Sequence, residues 1–146
     1  MAASHPVVVD DRLLIEELLV GLGDSSDASL HTTSYWYYRA CRAAVVGAGG
    51  HLSGPFALLD REEQSHAIRS LLDLREDIGL PDPRATVPMM AELSDRHPKL
   101  NILNLEAAAT GVVLNATVWI SVEAAAGVLP NVLDDEGVAW RTVELS

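Results

Sequence analysis

Apolar positions along the chain fall into short β-branched runs separated by longer stretches of helical period. Val7-Val8-Val9 is followed at once by Asp10-Asp11 and then by Leu13-Leu14-Ile15 and Leu18-Leu19. An uninterrupted apolar run of this kind predicts a strand buried on both faces, from Pro6 to Asp10. The next segment predicts a helix from Asp11 to about Leu22, with Leu14, Leu18 and Leu22 on one face and Glu16 and Glu17 largely opposite. Asp10 or Asp11 can cap it. A polar loop from Gly21 to Ser29 leads to a short extended piece, Leu30 to Ser34, and to a helix over Tyr35–Val46 that Gly47-Ala-Gly-Gly50 stops.

A loop from His51 to Leu59 precedes Asp60-Arg-Glu-Glu63, an N-cap with a capping-box Glu, and a helix to about Leu74. A short strand is expected around Ile78-Gly79-Leu80, ended by Pro81-Asp82-Pro83. Pro88 to Asp95 reads as a helix, broken by His97-Pro98. Leu103–Leu114 is an Ala-rich helix, Thr117–Ser121 a strand, Glu123–Glu136 a helix interrupted at Pro130, and Val138–Leu145 a closing strand. Strands that alternate with helices predict an α/β fold, a single domain over 1–146 with a mainly parallel central sheet between helical layers. A strand that ends in a carboxylate in front of a helix is where open α/β sheets place their chemistry.

Composition narrows the function classes. The 146 residues are 49 % hydrophobic and carry a formal charge of −11. That balance argues against broad nonspecific binding of phosphate backbones and fits a basic protein partner. The single cysteine, Cys41, forms no internal disulfide and reads as a small buried hydrophobe in a reducing compartment. No apolar stretch reaches the length needed to span a membrane. Met1-Ala-Ala-Ser-His5 lacks a signal-peptide pattern, so a cytoplasmic location is expected.

Several motifs are missing from the sequence. It has no G-x-G-x-x-G after the first strand and no G-x-x-x-x-G-K-[ST], and Ser53 lacks the turn of a nucleophile elbow. The five histidines are scattered with no pair at helical spacing, which argues against a zinc site. Tyr35-Trp36-Tyr37-Tyr38 concentrates the aromatics. It could stack on bases, but at helical spacing beside Ala40, Ala43 and Ala44 it fits core packing and a subunit interface better.

The order of elements and several strings resemble the PIN-domain family of small α/β nucleases, many of them toxins of toxin–antitoxin pairs. Val7 to Ile15 looks like the family's first strand and its Asp. Leu30-His-Thr-Thr33 and the Tyr35–Val46 helix look like its second strand and following helix, and Ile78-Gly-Leu-Pro81 like its middle short strand. Asn104-Leu-Glu-Ala-Ala-Ala-Thr110 resembles its Asp-x-x-x-Ala-Ala-Thr helix. Val118-Trp-Ile-Ser121 takes the place of its Thr-x-Asp strand, and Val138 to Val143 fits its last strand. The resemblance implies a PIN-like three-layer sandwich and carboxylates gathered at the strand ends to hold Mg²⁺ or Mn²⁺.

Residue by residue, this implied site is depleted. Asp10 matches the first acid. The second falls near Arg39, the third on Asn104 and the fourth around Ser121-Val122-Glu123. The candidate site residues are therefore Asp10, Asn104 and Ser121, with Asp10, Asp11 and Glu123 as metal ligands and Arg39 as counter-ion to Asp10. Glu106, two residues beyond Asn104, points elsewhere on a helix. Three readings follow. One is a PIN-like protein with a degraded site that binds metal weakly or not at all and acts through protein or RNA contacts. The second is a Mg²⁺- or Mn²⁺-dependent ribonuclease drawing on Asp10, Asp11, Glu106 and Glu123. The third is an unrelated small α/β interaction module. Expected partners are a second copy, packed through Trp36 and Tyr37, and a basic antitoxin-like protein; RNA belongs to the first two readings.

Overall fold

The computed structural model describes residues 4–23, 27–46 and 60–145. In chain order the elements are β1 (His5–Val9), α1 (Asp11–Leu19), β2 (Ala28–His31), α2 (Ser34–Val46), α3 (Arg61–Leu72), α4 (Pro83–Arg96) and α5 (Ile102–Leu114). Then come β3 (Thr117–Ile120), α6 (Val122–Ala125), α7 (Leu129–Asp135) and β4 (Trp140–Thr142). The strands form one sheet, all parallel, in the order β2-β1-β3-β4. The segment from Val7 is thus the centre of the sheet, in register with Leu30 on one side and Thr117 on the other.

The Val7-Val8-Val9 run explains the layering. Successive strand side chains point to opposite faces. Val7 and Val9 enter one core with Leu13, Leu14, Ala40 and Leu71, while Val8 enters the other with Trp36, Leu93, Val118, Ile120 and Leu133. Helices α1, α2 and α3 cover the first face, and α4, α5 and α7 the second. Helix α5 comes close to the sheet at Gly111, where a Cβ would lie 2.8 Å from Val138 Cγ1 and 3.2 Å from Val118 Cγ2. A side chain at Gly111 would have to displace branched residues with little freedom to move.

Several boundaries differ from the sequence expectation, each for a local reason. Helix α1 stops at Leu19 because the chain turns back through Gly21, at φ +86°. Glu17 then accepts a hydrogen bond from the Leu22 amide, so Glu16 and Glu17 are buried instead of facing solvent. Helix α4 starts at Pro83, where the helix was expected only from Pro88. Asp82 caps the helix and Pro83 takes a first-turn position that needs no amide donor, so the helix begins before Pro88 and contains it. The expected helix over Glu123–Glu136 is two helices, and the division falls at Ala126-Gly127-Val128. Pro130 lies in the first turn of α7. Helix α3 ends at Leu72, and the closing strand is only Trp140–Thr142.

The middle short strand is a single parallel bridge between His31 and Gly79, framed by Thr32 N–H to Gly79 O and Gly79 N–H to Leu30 O. The Asp60–Glu63 capping box forms as expected. The expected glycine stop after Val46 and the loop over 51–59 lie outside the described residues. None of the helices among the described residues is long and apolar enough to cross a membrane.

The aromatic tetrad divides differently from expectation. Trp36 is 3 % exposed and packs in the second core, and Tyr37 donates its hydroxyl to Leu71 O on α3. Both are used within the chain, so neither offers the interface expected of them. Tyr35 and Tyr38 are the two that face outward.

Two outcomes test this packing. Gly111→Val should destabilise the fold by about 1–3 kcal/mol through overpacking, read as a lower urea midpoint, and Val138→Ala should restore part of the loss. Where α4 ends beside α7, Glu136 accepts from Arg96 Nε at 3.0 Å and Nη2 at 2.9 Å and pairs with His97 Nε2 at 2.8 Å. The hydrogen bonds from Arg96, then from His97, lower its carboxyl from the usual 4.5 to about 2. A depressed acid contributes stability above its unfolded value and loses it as pH falls through the folded one. Acid denaturation between pH 4.5 and about 2 should therefore be less steep in Glu136→Gln than in wild type.

Candidate functional site

At the C-terminal edge of β1 the chain must enter α1, and the first amides of a helix need acceptors. Asp10 provides one. Its extended backbone places Oδ1 2.9 Å from the Leu13 amide, an N-cap bond. The other oxygen reaches sideways to the end of β3. Oδ2 accepts from the Ser121 amide at 2.8 Å and from the Ser121 hydroxyl at 2.8 Å. Ser121 is itself the N-cap residue of α6, yet its side chain makes no capping bond and is turned toward Asp10 instead. One carboxylate thus joins two neighbouring strands and the helix that follows the first.

Asp10 is 0 % exposed. Burial raises its carboxyl above the usual value, and the amide donors of Leu13 and Ser121 pull it back. The negative charge of Asp11 adds to the rise, and the Ser121 hydroxyl offsets a little of it. Asp10 has three neutral donors, so its charge is met by dipoles and not by a cation.

Arg39 is where this departs from expectation. Its Nε lies 3.1 Å from Asp11 Oδ2, so it is the counter-ion of Asp11 and not of Asp10. The reason is directional: Asp10 turns inward as a cap, whereas Asp11 sits in the first turn of α1 and faces α2. The pair is half open to solvent, with Arg39 52 % exposed and Asp11 18 %.

A cleft of about 270 Å³ opens above this junction. Asp11, Arg39, Asn104, Ser121 and Glu123 all line it, together with Arg12 and Trp36. The structure therefore brings five of the six candidate residues to one cleft wall, with Asp10 beneath Ser121. Asn104 stands in the first turn of α5, its amide capped by Asn101 Oδ1 at 2.9 Å.

Glu106 has a role the sequence reading missed. From α5 it reaches the start of α2, where Oε2 accepts from the Ser34 amide at 3.0 Å and Oε1 from the Tyr35 amide at 2.8 Å. Thr33 completes that terminus by accepting from the Trp36 amide at 3.0 Å, and Thr32 ties it to the sheet by donating to Val9 O at 2.8 Å. A buried acid on helix amides is favoured by their partial positive charge. The signal was present in the sequence, since a lone Glu in the apolar run Leu105 to Ala109 must find donors.

These contacts decide how the donors fit a hard dication, which wants several free oxygen ligands. Both oxygens of Asp10 and both of Glu106 are engaged with amides, and Asp11 is held by a guanidinium. Among the described residues no three His, Cys, Asp or Glu side chains are grouped to hold a metal ion. The cleft as built does not fit Mg²⁺ or Mn²⁺.

Asp10→Ala should remove the α1 cap, costing about 0.5–2 kcal/mol. It should also strand the buried Ser121 amide, costing a further 1–3 kcal/mol or so. Ser121→Ala should cost less, because the amide bond to Asp10 survives. Urea denaturation of both variants checks the order.

No family model matches the sequence, and no curated protein matches it. Among solved structures, a chain of VapBC-1 from nontypeable Haemophilus influenzae is similar, with a TM-score of 0.55 and 12 % identity over 94 % of this chain and 97 % of that one. At that identity the likeness is one of fold. The architecture, an all-parallel four-stranded sheet between helical layers, is PIN-like.

Proposed function

We propose that this chain is a PIN-fold protein of the toxin–antitoxin kind that acts by binding and not by metal-dependent hydrolysis. The observation that carries this reading is the state of Asp10. The one residue matching the family's acids is fully buried, and its two oxygens are taken by Leu13 and Ser121. A carboxylate so placed is aimed at backbone donors and shut off from solvent, so a cation in the cleft would reach it only if the Ser121 end of the junction moved. Arg39 adds to the case. A fixed positive charge stands where the resemblance implies an acid, and it already neutralises Asp11 at the cleft mouth. The similarity to VapBC-1 supports a toxin–antitoxin context, and so a protein partner.

The ribonuclease reading keeps one favourable observation. Asp11 and Glu123 share the cleft with Asn104 and Ser121. Asp11 could turn toward a metal only if Arg39 let go of it. Incubation of RNA with wild type, Asp10→Asn and Asp11→Asn in Mn²⁺ separates the two readings. Cleavage at background in all three, with no saturable Mn²⁺ uptake by calorimetry below millimolar concentration, is the expected result. Strong Mn²⁺-dependent cleavage that disappears in a folded Asp10→Asn or Asp11→Asn protein would establish the nuclease instead.

A further inference from the structure

Helix α2 presents a solvent face unlike the rest of the molecule. Tyr38 is 60 % exposed and Val45 69 %, and Arg42 lies between them at helical spacing, so the three form one stripe. Tyr35, 40 % exposed, adjoins it one turn earlier, beside Arg39. At the same end Ile102 is exposed, one turn before the Glu106 that holds the start of α2.

The charge of this face is opposite to that of the chain. The sequence contains 21 acidic residues, and none of them is in α2. Among the described residues Arg42 forms no ion pair. Exposed tyrosines with arginine, and no acid, are the composition of a binding hot spot and not of an ordinary solvated helix face.

We propose that the exposed face of α2 docks a peptide segment that carries carboxylates beside an aromatic or aliphatic anchor. The anchor packs on Tyr35, Tyr38 and Val45, and a carboxylate pairs with Arg42. A second copy fits less well. A two-fold contact matches a face with itself, and this face would set arginine against arginine with no acid to offset it. A nucleic acid also fits less well. It needs many cations along its path, whereas on α2, among the described residues, only Arg42 is free of ion pairs, on a chain of charge −11. The proposal does not depend on whether the cleft is catalytic. It reverses the expectation of a basic partner, because the local face and not the net charge meets the ligand.

The test is selection of short random peptides, displayed on phage, against the immobilised full chain. Enriched peptides are expected to carry Asp or Glu next to an aromatic or aliphatic residue. A synthetic copy should bind roughly tenfold or more weakly to Tyr38→Ala and Arg42→Glu, and equally to Val87→Ala, which is exposed on α4 away from this face. Arg42→Lys should keep most of the affinity. Replacing the peptide's Asp and Glu by Asn and Gln should abolish binding to the unaltered chain, a readout that requires no variant to fold. The proposal is overturned if selection yields no peptide, if it yields basic peptides, or if the variants bind normally. It is equally overturned if oligouridine alone binds in an Arg42-dependent way, or if the wild type sediments as a dimer that Arg42→Glu dissociates.

Discussion

The buried carboxylate of Asp10 is the constraint on which the centre of this molecule depends. It stands where β1 becomes α1, and it holds the end of β3 through two donors of Ser121. A parallel sheet leaves strand ends to be secured by whatever lies there, because its connections are long crossovers and not tight turns. Here the securing group is ionisable, and it carries the cost of burial against three short hydrogen bonds. An apolar residue could fill the space but could not accept the amides of Leu13 and Ser121. The junction fixes α1 and α6 relative to the sheet, and those two elements carry Asp11 and Glu123 to the cleft.

A second buried acid does the same for the other wall. Glu106 binds the opening amides of α2 and so sets where Trp36 and Arg39 stand. Asp10 is engaged at one helix terminus and Glu106 at another. At the cleft mouth Asp11 and Arg39 pair with each other. The two buried acids thus act as acceptors for helix and strand amides at the two sides of the cleft.

The fold was legible in the sequence where burial on both faces left no choice, as at Val7-Val8-Val9 and at Val118 to Ser121. The Asp60–Glu63 box was legible because its geometry is local. Helix limits were less so. Pro88 read as a helix start but lies inside α4, and Pro130 read as an interruption but lies in the first turn of α7, since a proline signals a missing donor and not by itself where in a helix it falls. The partner of Arg39 and the donors of Glu106 were not legible, because they turn on which of Asp10 and Asp11 points inward and on which amides a lone buried Glu reaches. That choice is made by contacts spanning 72 and 111 residues, and no local pattern encodes it.

The span of the Asp10–Ser121 contact also has a consequence in time. β1 can meet β2 once some thirty residues exist, but its other edge waits for β3, more than a hundred positions later. Until then the central strand has an open edge and an unsatisfied carboxylate at its end. Long-range parallel pairing of this kind is slow and exposes apolar edges while it waits. As the ribosome feeds out the chain, the arrival of Ser121 turns a strand with a bare side into the middle of a sheet, so a segment made more than a hundred residues later decides whether β1 is folded or sticky.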